Sequence, residues 1–115
     1  MEREIIDTND GTKTLYIKEL NETYHSTHGA LQEAKHVFIE NGLKKQYYYD
    51  INILELGFGT GLNLLATIDD FLKTDKNHII NYYTIEKYPI NQSEITELAY
   101  FKLFDEKRLE EIFIK

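Results

Sequence analysis

The stretch Glu55-Leu56-Gly57-Phe58-Gly59-Thr60-Gly61-Leu62-Asn63 constrains this chain more than any other, because three alternating glycines separate two patterns of different period. Before them runs Ile51-Asn52-Ile53-Leu54-Glu55-Leu56, a short β-rich segment. After them Leu64, Leu65, Ile68, Phe71 and Leu72 recur on one broad helical face. A strand that ends in glycines and opens into a helix is where open α/β sheets bind ligands. Glycine lets the main chain take otherwise forbidden angles and approach a ligand closely, and the helix start offers free N–H groups. A tight structural turn is the plainer use of glycine, but three in five residues exceed what a turn requires.

Spacing narrows the ligand. The dinucleotide turn Gly-x-Gly-x-x-Gly would need glycine at position 62 or 64, where Leu62 and Leu64 stand. No Gly-Lys-Ser/Thr follows, so a P-loop is excluded. What remains is acid-x-Gly-x-Gly-x-Gly, a pattern associated with Rossmann-like methyltransferases. A second acid, Glu86, closes Ile79-Ile80-Asn81-Tyr82-Tyr83-Thr84-Ile85, a segment rich in β-branched and aromatic residues. A carboxylate at that place can accept both ribose hydroxyls of a nucleoside, while Glu55 would lie near a cationic methionine end.

The order strand, glycine turn, helix, strand, helix is that of a parallel, doubly wound sheet. Ahead of it, Ile5-Ile6 and Leu15-Tyr16-Ile17 flank Asn9-Asp10-Gly11 and predict a β-hairpin over about residues 1–20. Residues 21–29 are polar and loop-like. From Ala30, the spacing of Leu31, Ala34, Val37 and Phe38 predicts a helix that stops in a left-handed cap at Asn41-Gly42. Ile95, Leu98, Ala99 and Leu103 predict a third helix, and Leu109, Ile112 and Phe113 a fourth. The Tyr47–Tyr49 run could stack bases, but such a run more often pads a strand entrance, and padding is expected. The fold class is therefore α/β, a Rossmann-like class I methyltransferase fold preceded by a hairpin. It is expected to be one domain with its cofactor half at about 30–115. Two parallel strands, normally buried on both faces, make a sheet expected to be truncated at Lys115.

The residues Tyr24-His25-Ser26, Gly29-Ala30, Glu33, His36-Val37-Phe38, the glycine turn with Phe58 and Leu62-Asn63, and Ile85-Glu86-Lys87 resemble the MnmC/MnmD methyltransferases. The resemblance runs from about Tyr24 to about Pro89. It implies S-adenosyl-L-methionine as cofactor and tRNA as substrate, with methylation of the aminomethyl group on the wobble uridine. It places Glu55, Gly57, Phe58, Gly59, Thr60, Gly61, Asn63 and Glu86 at the cofactor, with Lys87 beside the adenosine. Tyr24 and Ser26 fall in a loop that closes the site; packing for Tyr24 and a helix N-cap for Ser26 are the alternatives. The family's acidic residue for the substrate amine lies in an Asn-Pro stretch. This sequence has no Asn-Pro, and its one proline is Pro89. No catalytic residue is therefore assigned within the chain, which is expected to bind cofactor without catalysing alone.

Other classes are weighed on charge and composition. The net charge is −7 and the bases are scattered, a poor electrostatic host for nucleic acid unless another surface supplies it. Two rival readings follow: a non-catalytic Rossmann-like partner module, and a methyltransferase for a small molecule or protein. No cysteine is present, so disulfides and zinc–cysteine sites are excluded. His25, His28, His36 and Glu33 form no zinc motif, and no metal is expected. No secretory signal or run of ~18 apolar residues occurs, so a cytoplasmic, membrane-free protein is expected. Unfinished sheet edges would favour self-association.

Overall fold

The computed structural model describes residues 2–45, 50–73 and 79–104. Strands β1 (Glu4–Asp7) and β2 (Lys13–Ile17) pair antiparallel. Gly11, at φ 83°, supplies the left-handed residue of the turn between them. Asn21, whose type tolerates that region, turns the chain at φ 49° into a short β3 (Glu22–Thr23), which pairs with Tyr16 and Ile17. The polar stretch after β2 is thus partly strand, because the edge of β2 satisfies its backbone.

The hairpin turn also builds the start of the next helix. Helix α1 (Ala30–Glu33) runs into a wider π-helical winding over Ala34–Glu40. Its free N–H groups are taken from outside: Ala30 by Thr8 Oγ1 at 3.2 Å, Leu31 by Thr12 Oγ1 at 3.3 Å, and Gln32 by Asp10 Oδ2 at 3.0 Å. Ser26 is not the N-cap; Gly29 holds that position, and Ser26 Oγ instead accepts from His28 N at 3.1 Å. Gly29 is needed for space, since a Cβ there would lie 2.7 Å from Asp10 Oδ2.

The helix ends at Asn41, but by another route than a left-handed cap. Asn41 sits at φ −97°, and its N–H reaches the His36 carbonyl five residues back at 3.2 Å. At Gly42 a Cβ would meet the Phe38 carbonyl oxygen at 2.6 Å, so glycine serves close approach rather than a positive angle. A 3-10 turn (Leu43–Lys45) follows.

Strands β4 (Asp50–Leu56) and β5 (Ile79–Ile85) pair in parallel, in register from Asp50↔Ile79 to Leu56↔Ile85, with α2 (Leu62–Lys73) as the crossover. The chain is therefore α/β with a parallel sheet. A capping box between Asn91 and Glu94 starts α3 (Gln92–Leu98). The expected third helix divides at Ala99, which takes φ 52°, and resumes as a 3-10 turn (Tyr100–Leu103). The Tyr47–Tyr49 run and the expected fourth helix lie outside the described residues.

The core packs Leu15 of β2 and Ala30 and Ala34 of the first helix against Leu62 and Leu65 of α2, with Tyr100 and Phe104 closing it. The parallel sheet is not buried on both faces. Leu54, Leu56, Tyr83 and Ile85 are between 58% and 78% exposed, because α2 lies against the other face only. No helix among the described residues is long and apolar enough to cross a membrane.

Candidate functional site

The glycine turn fills the gap between the end of β4 and the start of α2, and its backbone explains its sequence. Gly57, Gly59 and Gly61 stand at φ 85°, 59° and 83°, the region where a Cβ is strained. Alternation is therefore required by conformation. Gly57 has nothing within 4 Å of where a Cβ would be, so bare main chain borders open space there. At Gly59 a Cβ would approach the Tyr24 ring to 3.1 Å. The turn is tied to β5, with Gly57 N donating to the Ile85 carbonyl at 2.8 Å.

Glu86, one residue beyond β5, faces this turn. Its Oε1 accepts from Gly59 N at 2.6 Å and its Oε2 from Tyr88 N at 3.0 Å. A carboxylate oxygen has two lone pairs, so both oxygens retain acceptor capacity. Glu55, near the end of β4, accepts from Asn63 Nδ2 at 3.2 Å and Thr84 Oγ1 at 3.1 Å. Its neighbour Tyr82 is pushed well above the ordinary phenol range, first by burial and then by the Glu55 charge. Asn63 Oδ1 is shielded from water and has no hydrogen-bond partner among the described residues.

These groups line one open cleft of about 900 Å³. Of the residues singled out in the sequence, Tyr24, Glu55, Gly57, Phe58, Gly59, Asn63 and Glu86 border it. Thr60, Gly61, Ser26 and Lys87 do not. Thr60 is only 1% exposed and turns its hydroxyl into the protein. Lys87 leans over the Tyr88 ring, 5.4 Å from its centroid. Among the described lining residues the charged ones are Glu22, Glu33, Glu55 and Glu86, with no lysine or arginine. Among the described residues no group of three His, Asp or Glu side chains converges to hold a metal.

No family model matches the chain. It is 36% identical over 86 residues to the tRNA 5-methylaminomethyl-2-thiouridine biosynthesis bifunctional protein MnmC of Leptospira interrogans, a match covering 70% of this chain and 13% of that protein. The MnmC of Burkholderia mallei is 38% identical over 81 residues, 66% of this chain and 12% of that protein. The solved structure of MnmC2 from Aquifex aeolicus superimposes with a TM-score of 0.69 at 30% identity, covering 89% of this chain and 37% of that one. The chain is MnmC-like. It spans about an eighth of the length of the MnmC proteins it matches.

Two features of this MnmC-like chain escape a reading of its sequence. His25 looks like a polar loop residue but is only 8% exposed, with its ring between Glu33 and Thr60. Arg3 reaches across the fold to the segment after Glu86, donating to the Tyr88 carbonyl at 2.8 Å and pairing with Glu94 at 2.8 Å. Both depend on partners far away in sequence, and no local spacing marks them.

Proposed function

We propose that this chain is the cofactor-binding part of a Rossmann-like, S-adenosylmethionine-dependent methyltransferase domain acting on the aminomethyl nitrogen of tRNA wobble uridine. The observation that carries the reading is the Glu86 carboxylate held against Gly59 N, at the head of two parallel strands, with lone pairs left for a diol. The names borne by the MnmC relatives supply the tRNA substrate class.

The residues fit this cofactor in two respects. Gly57 and Gly59 offer main chain where side chains would strain or clash. The charged lining is wholly carboxylate among the described residues, which favours a cationic ligand and disfavours a nucleotide phosphate. S-adenosylmethionine carries both a sulfonium and an ammonium. When bound it supplies the electrophilic methyl group. Glu86 then holds the ribose, the turn backbone orients the methionine arm, and Glu55, oriented by Asn63 and Thr84, stabilises the positive charge.

Titration calorimetry of the chain with S-adenosylmethionine tests this reading. Binding in the micromolar range is expected, and absence of heat at millimolar ligand would sink it.

A further inference from the structure

His25 borders the cleft, but its side chain is buried and its ring is held on several sides. Its backbone is fixed on both sides: His25 N donates to Thr14 Oγ1 of β2 at 3.1 Å, and Thr23 Oγ1 of β3 donates to the His25 carbonyl at 2.7 Å. Its ring meets Tyr100 edge-on at 6.4 Å, and the Tyr100 hydroxyl is itself bonded to the Lys13 carbonyl. One ring nitrogen, Nδ1, lies 3.5 Å from Glu33 Oε1; the other, Nε2, lies 2.7 Å from Thr60 Oγ1. Thr60 is the residue between Gly59 and Gly61, and it is buried.

We propose that His25 is a positioning residue for the glycine turn: its imidazole links Glu33 to Thr60 and so holds Gly59 and Gly61 at the angles a bound cofactor requires. Glycine gives the turn its permitted conformations but also the largest entropy to lose on fixing one of them. The bonds from β5 and Glu86 reach Gly57, Phe58 and Gly59. The Thr60–His25 bond fastens the next residue to a different body, the antiparallel sheet. This role rests on the cofactor reading for its purpose, though not for its geometry.

A carboxylate only accepts, so Glu33, 3.5 Å away, favours the proton on Nδ1, which leaves Nε2 to accept from the Thr60 hydroxyl; in the other tautomer Nε2 donates to the same oxygen, and the link to Thr60 is kept. Burial lowers the His25 pKa below its ordinary value, while the Glu33 and Glu55 carboxylates work against that shift. Those two acids and Tyr100 are the titratable groups facing the ring. The lowered value favours the neutral ring at and above neutral pH.

Two measurements test the proposal on the whole chain and its His25→Gln, His25→Leu and Thr60→Val variants. Backbone amide exchange over residues 57–61, without ligand, should quicken about tenfold in His25→Leu and Thr60→Val, with His25→Gln falling between them and the native chain. S-adenosylmethionine affinity at neutral pH should fall several-fold in His25→Leu and Thr60→Val. Glutamine, which can meet Thr60, should restore most of it. Unchanged exchange in both His25→Leu and Thr60→Val overturns the proposal, and so does a His25→Gln chain that exchanges and binds no better than His25→Leu. If His25→Leu does not fold, Thr60→Val and the glutamine variant decide. A native chain that binds no S-adenosylmethionine removes the cofactor reading, while the exchange rates still judge the positioning role.

Discussion

At the residue scale, Glu86 and Gly59 meet in one hydrogen bond of 2.6 Å but answer to different physics. Glu86 offers charged acceptor oxygens, and bonds to a charged group contribute about 1.5–3 kcal/mol. Glu86→Ala is therefore expected to weaken S-adenosylmethionine binding by about ten- to a hundredfold, read by calorimetry. Glu86→Gln, keeping one carbonyl oxygen, should lose less; equal affinity in the alanine variant would exclude a ribose contact. Gly59 contributes by lacking a side chain. At φ 59°, with the Tyr24 ring 3.1 Å from any Cβ, it has room for neither bulk nor strain. Gly59→Asp adds both, and a negative charge beside Glu86, so binding should fall below detection while the circular dichroism spectrum is retained. Native-like affinity in that variant would remove the turn from the site.

At the scale of elements, the hairpin turn and α1 are one unit although eighteen or so residues separate them. Asp10 carries the junction. Burial alone would raise its pKa, but bonds from Thr12, the Gln32 backbone and Thr8 more than offset this and leave the value lowered. A folded-state pKa below the unfolded one stabilises the fold above the ordinary value of 3.8, and that contribution is lost as pH falls through the folded value. Asp10→Ala should thus cost about 1 kcal/mol near neutral pH, the usual worth of a helix cap, and progressively less below about pH 4. Chemical denaturation at several pH values checks this, and a constant difference down to acid pH would reject the cap. This junction also shows what the sequence hides. The β4–turn–α2–β5 order is legible because each piece is signalled by its own period or by glycine. Glu86 is legible because it ends the strongest strand. The capping of α1 is not, since Thr8, Asp10 and Thr12 read as ordinary turn residues and their partners lie some twenty positions on. His25 and Thr60 are opaque for the same reason, and the π-helical winding over Ala34–Glu40 leaves Val37 and Phe38 half in solvent where the spacing placed them inside.

At the scale of the whole molecule, charge and apolar surface pull in opposite directions. One face of the parallel sheet presents Leu54 beside Tyr83 and Leu56 beside Ile85, cross-strand pairs more than half exposed, without a covering element among the described residues. Contiguous apolar surface of this kind favours association. The net charge of −7 repels a second copy at long range, but at physiological salt that repulsion decays over about 8 Å, whereas apolar burial is not screened. The chain is therefore expected to self-associate, more strongly at high salt than at low. Sedimentation equilibrium should give a mass above the 13.6 kDa of one chain, rising with ionic strength. The double substitution Leu56→Lys and Ile85→Lys places like charges directly opposite each other on that face and should return the mass to that of a single chain. Because the two charges stand opposite each other on paired strands but off the α2 face, the melting temperature should fall by only a few degrees. A native chain that stays monomeric at high salt and about 100 μM would show that this face does not bind its own kind, leaving the sheet pairs as exposed surface open to another partner.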